Sequence, residues 1–191
     1  MRKAAGMLLL LSASRLFANV FDVVPATSPN VGDTFAVNVN VTGVSDLYAY
    51  QFDLTYDPTL LAALSVSEGP FLPGGGTTVF IPGTIDNVGG SVTATAGALV
   101  GAIPGVSGDG RLLTFEFTAL AEGTSALSFG NPFLLDSSLN DITGATTFEN
   151  GSVTIGASAA PEPGTYLALC AMLLLLTVVH KVYRSRLRTQ R

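Results

Sequence analysis

From Tyr48 to Tyr56 the large side chains fall on every second position: Tyr48, Tyr50, Phe52, Leu54 and Tyr56 alternate with Ala49, Gln51, Asp53 and Thr55. Successive side chains of a strand point to opposite faces, so this period describes a half-buried β-strand and excludes an amphipathic helix. The same period governs Thr34 to Thr42, where Phe35, Val37, Val39 and Val41 are apolar while Asn38 and Asn40 are polar. It returns in Phe115, Phe117 and Ala119, which alternate with Thr114, Glu116 and Thr118; Leu127 and Phe129 follow, and Val153 with Ile155 closes the pattern. Val20–Val24, Leu64–Val66, Val79–Ile81 and Val92–Ala98 are shorter strand candidates.

Between these runs stand Asn30-Val31-Gly32-Asp33, Pro73-Gly74-Gly75-Gly76, Gly89-Gly90 and Gly108-Asp109-Gly110, whose residues accept positive φ or set a turn. Apart from a possible turn at Pro58 to Ala63, no helical period persists away from the chain ends. Eight or nine short strands with Gly-rich turns predict an all-β fold, an antiparallel β-sandwich, over residues 19–157.

Charge is sorted along the chain. Of its nine Lys and Arg, only Arg111 lies between Asn19 and Pro163, whereas all fourteen Asp and Glu do, giving that stretch a formal charge of −13. Phosphate contacts need Lys and Arg, so nucleic acid is excluded as a partner. The remaining cations frame the ends. Met1-Arg2-Lys3, the apolar Met7 to Leu11 and the small Ala18 have the order of a secretory signal peptide over residues 1–18.

At the other end, a linker of residues 158–163 leads to an uncharged run from Gly164 to His180 that holds six leucines. As a helix this run reaches about 25 Å, near the lower limit for one membrane crossing. A transmembrane helix is expected over residues 164–183. The basic tail that follows, Lys181, Arg184, Arg186, Arg188 and Arg191, is expected on the cytoplasmic side, which places the acidic domain outside. On physics alone this is a plain anchor. The order Pro161-Glu162-Pro163, short apolar span and basic tip also resembles the PEP-CTERM sorting signal of Gram-negative bacteria; Cys170 stands in the span where that family often has glycine. The resemblance implies processing by an exosortase-type enzyme, with anchoring in the inner membrane during sorting and delivery to the cell surface or extracellular matrix.

A second resemblance covers the middle of the chain. Val31-Gly32-Asp33 leading into an alternating strand, Leu47–Thr55 running into Tyr56-Asp57-Pro58 and Leu60-Leu61, and the later Leu112–Phe117 with Glu122-Gly123-Thr124 and Leu127-Ser128-Phe129 resemble a cohesin domain from about Phe21 to Ile155. Cohesins have a nine-strand jelly-roll sandwich related to some carbohydrate-binding modules and bind dockerin modules of polysaccharide-degrading enzymes, so the resemblance implies a jelly roll here. The resemblance implies a binding or adhesion module with a dockerin-like protein partner, or alternatively a carbohydrate-binding module that holds exopolysaccharide or takes part in polysaccharide degradation.

No catalytic residue is expected. Asp53 and Asp57 would stand roughly 13 Å apart on a regular strand, beyond both glycosidase spacings. The only histidine, His180, lies at the membrane boundary, so no Ser-His-Asp set is available outside. Asp33, Asp57, Asp86, Asp109, Asp136 and Asp141 fall in or near expected loops. They leave structural Ca²⁺ open beside plain solvation, with no ligand assigned and no other cofactor implied. The chain has no Trp, and the parity of Tyr48, Tyr50 and Tyr56 sends them to the core, which argues against a sugar-stacking platform. Phe71, Phe80 and Phe133, near expected turns, are the remaining aromatic candidates for a sugar face, and each is read first as a loop anchor. The outward residues Gln51, Asp53 and Thr55 form the candidate binding face.

Overall fold

A computed structural model describes residues 19–158, together with the helical positions Met172, Leu176 and His180 within the C-terminal apolar run. The expected signal peptide, the Pro161-Glu162-Pro163 motif, the basic tail and the rest of the expected span lie outside the described residues. Among the described residues no helix is long and apolar enough to cross a membrane.

Two sheets form a sandwich. The first has strand order β10-β1-β2-β8-β4, built from β1 (Asn19–Pro25), β2 (Thr34–Leu47), β4 (Leu61–Glu68), β8 (Val106–Ala119) and β10 (Thr146–Glu149). The second has the order β11-β9-β3-β7-β5, built from β3 (Ala49–Thr55), β5 (Thr78–Ile81), β7 (Ser91–Leu99), β9 (Gly123–Leu135) and β11 (Gly151–Ile155), with β6 (Thr84–Asp86) also on β7. All nine expected strands are present. β6 and β10 are the additions, each too short for an alternation to show. Gly108-Asp109-Gly110 is no turn but part of β8, where the ladder to β2 is irregular and the Asp109 carboxylate accepts the Gly43 N–H at 2.6 Å.

The core follows from the period of two. Phe21, Val37, Val39, Phe115 and Phe117 from the first sheet meet Phe52, Leu54, Val92 and Leu127 from the second, all fully buried. Phe117 is the hub, stacked on Phe35 at 6.1 Å, edge-on to Tyr56 at 5.0 Å and tilted against Phe115 at 6.2 Å. Tyr50 and Tyr56 are buried as their parity predicts, whereas Tyr48 is half-buried. Tyr50 lies over Gly97, where a Cβ would come within 2.6 Å of its ring. Burial pushes the Tyr50 phenol up, with the Glu68 carboxylate adding to the effect.

Two single-residue corners carry the chain from one sheet to the other. At Tyr48, between β2 and β3, the N–H donates to the Leu135 carbonyl at 2.9 Å and the carbonyl accepts from Leu99 at 3.0 Å. The approach to this corner is coiled by register shifts in β2, with φ of 66° at Gly43 and 58° at Asp46. The second corner is Asn150, between β10 and β11, whose side chain accepts the Phe129 N–H at 3.0 Å. After β9 the chain crosses to the first sheet, where β10 runs beside β1 in the same direction, so that strand pair is parallel. The other strand pairs are antiparallel, with one isolated parallel bridge between Asn30 and Gly156, so the expectation of a wholly antiparallel fold is corrected at this edge.

Aspartates staple the loops. Asp46 accepts from Ser137 Oγ at 2.7 Å and Gly105 N at 2.7 Å, and its own N–H donates to Ser107 Oγ at 2.9 Å. Asp57 accepts Thr59 Oγ1 and N, Asp86 accepts the N–H groups of Gly89 and Val88, Asp136 accepts Asn140 Nδ2 and N, and Asp141 accepts Thr143 N. These bonds hold all five carboxyls below their ordinary value of 3.8, the side-chain donors of Ser137, Thr59, Asn140 and Thr143 leading for Asp46, Asp57, Asp136 and Asp141, and the Gly89 N–H for Asp86. A depressed carboxyl contributes stability that is complete above its unfolded value and is lost as pH falls through the folded one. The domain should therefore hold its melting temperature on acidification toward pH 3.8, with relief of carboxylate repulsion working in its favour, and lose it below. Circular-dichroism melts from neutral pH to pH ~2 check this; a melting temperature still rising below pH 3.8 would contradict it.

Candidate functional site

The outer face of the second sheet differs from the rest of the surface. The register places two rows of side chains across four strands: Leu135, Ala49, Ala98 and Val79 in one, and Phe133, Gln51, Ala96 and Ile81 in the next. Val79, Ile81 and Phe133 are 56%, 53% and 45% exposed, and together with the alanines they line a shallow depression around Gln51. The other exposed apolar side chains on strands, Val24 on β1 and Leu64 on β4, stand singly and are separated by β2 and β8. A contiguous apolar patch on an otherwise polar, acidic surface is where a partner gains most from desolvation.

The three candidate face residues have different surroundings. Gln51 lies at the centre of the platform, exposed, its backbone in the ladders to β7 and β9 and its side-chain amide without a hydrogen bond to another described residue. Asp53 marks one end of it: its carboxylate accepts the Ala94 N–H at 2.7 Å and Asn131 Nδ2 at 2.6 Å. Ala94 and Asn131 both have positive φ, 56° and 46°, and both sit where the ladders to β3 shift register. Asp53 thus pins a bulge on each neighbouring strand and sets the end of the flat surface. Thr55 lies further along, exposed, with its hydroxyl donating to the Ser128 carbonyl at 3.3 Å.

Phe133 departs from its expected role, since it lies within β9 and faces outward on the platform; Phe71 is buried beneath Gly110, and Phe80 packs partly against the core. Asp57 does not continue the face of Asp53. β3 ends at Thr55, and Asp57 turns the chain toward β4 with its N–H donating to Ser125 Oγ at 2.9 Å. Among the described residues no group of three His, Cys, Asp or Glu side chains is placed to hold a metal ion. Asp33 accepts the Asn30 N–H and Asp109 that of Gly43, so all six loop aspartates singled out in the sequence spend carboxylate oxygens on nearby donors, chiefly backbone N–H groups.

The family model of the cohesin domain matches residues 21–155, most of the chain and nearly the whole sandwich. The chain belongs to the cohesin family. Solved structures share the fold of this cohesin. A non-cellulosomal cohesin from the hyperthermophilic archaeon Archaeoglobus fulgidus superposes with a TM-score of 0.57 at 17% identity, covering 78% of this chain and 96% of its own. The third cohesin of ScaC from Acetivibrio cellulolyticus, solved in complex with the ScaB dockerin, gives 0.60 at 16% identity over 73% of this chain and 99% of its own. A type II cohesin module from the adaptor ScaA scaffoldin of Acetivibrio cellulolyticus gives 0.62 at 16%, with 78% and 96% covered. A search of curated protein sequences finds no match for this cohesin.

Proposed function

We propose that this cohesin is a non-catalytic, exported binding module whose outer β9-β3-β7-β5 face docks a protein partner of the dockerin kind. The observation that carries the reading is the platform itself: Val79, Ile81 and Phe133 are exposed together on one sheet face, with small alanines between them and Gln51 at the centre. A flat apolar surface with one amide suits a partner helix or loop better than a small molecule, which needs a concave pocket. Relatives solved in complex with dockerins support this choice of partner. The reading extends to delivery. The order of Pro161-Glu162-Pro163, apolar span and basic tail supports sorting by an exosortase-type enzyme in a Gram-negative bacterium. The module would be anchored in the inner membrane by residues 164–183 during sorting, then reach the cell surface or extracellular matrix.

The alternative of a carbohydrate-binding module gains less from the geometry. Sugar rings stack on exposed aromatic faces, and Phe133 is the single aromatic ring on the described platform. Surface-plasmon titration of the immobilised full chain with a panel of dockerin modules, and separately with purified exopolysaccharide, distinguishes the two. Saturable dockerin binding is expected, weakened by Ile81→Asp and by Phe133→Ala, with a loss of about 2 kcal/mol or more for a central anchor. Binding to no dockerin, or binding that ignores both substitutions, would overturn the assignment; saturable exopolysaccharide binding lost in Phe133→Ala would replace it with the carbohydrate reading.

A further inference from the structure

The sandwich leaves open strand edges, and they are not equally guarded. β4 is broken by the register shift at Leu64 and ends in Glu68, and β10 ends in Glu149. β11 is covered from β1: Gly151 lies against the Val23 carbonyl, and Gly156 bridges to Asn30. The edge strand β5 reads Thr78-Val79-Phe80-Ile81, with no charged residue of its own and an unbroken register to β7; the Glu68 carboxylate accepts from its Thr78 hydroxyl at 2.9 Å. A flat, uncharged, apolar edge is the kind that other proteins suppress with charges, bulges or a covering element.

Hydrogen bonding tells which of its groups are free. The Val100 N–H donates to the Thr77 carbonyl at 2.8 Å, and the register runs on from that pair through Thr78–Leu99 and Val79–Ala98 to Phe80–Gly97 and Ile81–Ala96. Bonded and non-bonded pairs alternate in an antiparallel ladder. Val79 and Ile81 therefore use their backbone groups on β7, while the N–H and C=O of Thr78 and Phe80 point to the open side, where no described residue meets them.

We propose that β5 pairs with β5 of a second copy of this chain, antiparallel about a twofold axis through Val79. In that register Thr78 lies opposite Phe80 of the second copy, and each such pair exchanges both of its N–H···O=C bonds. The strand is its own complement, so no foreign sequence is needed. Val79 and Ile81 also belong to the apolar platform, and pairing at Val79 joins two platforms into one continuous surface. The contact is small and both copies are strongly acidic, so association is weak at low salt and strengthens as salt screens the repulsion.

Cysteine cross-linking of the full chain in mild detergent tests this. Cys170 is the only cysteine, so Cys170→Ser gives a thiol-free background. In it Val79→Cys places two thiols in a closely spaced non-bonded pair, a geometry that a disulfide can close. Val88→Cys, at a 91% exposed turn position, reports random collision. The expected result is a covalent dimer formed several-fold more by Val79→Cys than by Val88→Cys, increasing with salt. Adding Thr78→Pro, which removes an outward N–H and the Thr78 hydroxyl bond to Glu68 but no bond to β7, should suppress it. A Val79→Cys yield no higher than that of Val88→Cys overturns the proposal, as does a yield unchanged by Thr78→Pro in a chain that still folds. Should that variant fail to fold, the comparison of the two cysteines still decides.

Discussion

Phe117→Ala should be the most damaging single truncation in the domain, lowering its stability by about 3–5 kcal/mol. Phe117 is fully buried and joins rings from two strands and the segment after a third: Phe35 on β2, Phe115 on its own strand β8, and Tyr56 just after β3. Removing the ring takes away apolar contact and leaves a cavity between two sheets whose separation is held by the remaining aromatics, so the site cannot collapse to fill it. For a domain of this size such a loss lowers the melting temperature by roughly 10 °C or more. Urea unfolding of the variant beside the natural chain gives the energy directly; a loss below about 1.5 kcal/mol would show that the sheets can close on the gap. Phe117→Leu, which keeps most of the volume, should recover much of the loss.

The second large effect is expected from Gly90→Ala, at the turn between β6 and β7. Gly90 is buried with φ at 70°, where a side chain costs about 1–2 kcal/mol from sterics alone. Its surroundings add to this: a Cβ would stand 2.3 Å from the Tyr56 carbonyl oxygen and 2.6 Å from Pro58 Cδ, and neither is the free end of a flexible side chain. The backbone there is tied on both sides, since the Tyr56 N–H donates to the Gly90 carbonyl at 2.8 Å and the Gly90 N–H to the Asp86 carbonyl at 2.9 Å. The same corner holds Asn87, whose side chain accepts from Tyr56 Oη at 2.7 Å and from Ala63 N at 2.7 Å, and donates to the Ala63 carbonyl at 3.0 Å. Asn87 thereby stitches the β6-β7 turn of one sheet to β4 of the other. A shift of Gly90 pulls on this stitch, and the total cost is expected near 3 kcal/mol. Thermal melts check the size. If Gly90→Ala melts within a degree or two of the natural protein, the close packing of this corner is not maintained in solution.

Neither effect bears on the platform directly, which is useful for testing function. Phe117 lies in the core and Gly90 in the turn before β7, whereas Val79, Ile81 and Phe133 face outward at the opposite stretch of the sheet. A partner lost from Ile81→Asp with an unchanged melting temperature therefore reports the surface, and one lost from Phe117→Ala reports the fold.

The strands with room for several alternations were legible in the sequence. Phe35 to Val41 and Tyr50 to Tyr56 show which side is buried, because a period of two with polar partners allows a single inward face. The acidic character of the domain also follows from composition, since it depends on counts and not on position. The resemblance carried by Val31-Gly32-Asp33, Tyr56-Asp57-Pro58 and the later strands pointed to the cohesin family that the family model matches.

The platform was not legible, and the reason is physical. In Val79-Phe80-Ile81 three apolar residues stand in a row, and in Ala94-Thr95-Ala96-Gly97-Ala98 the side chains are small on both parities. Neither run says which face is inside. The choice falls to partners distant in the chain: Tyr50 needs Gly97 beneath its ring, which turns Ala96 and Ala98 outward, and the ladder to β7 then sends Val79 and Ile81 outward with them. Phe133 joins them only because the bulge at Asn131, pinned by Asp53, resets the parity of β9. The sequence by itself determined where the strongly alternating strands run and which side of them is buried, both being local properties of the backbone. Which apolar residues remain exposed, and that they meet on one face, only the tertiary structure decided, because it depends on register between strands as far apart as Gln51 and Phe133.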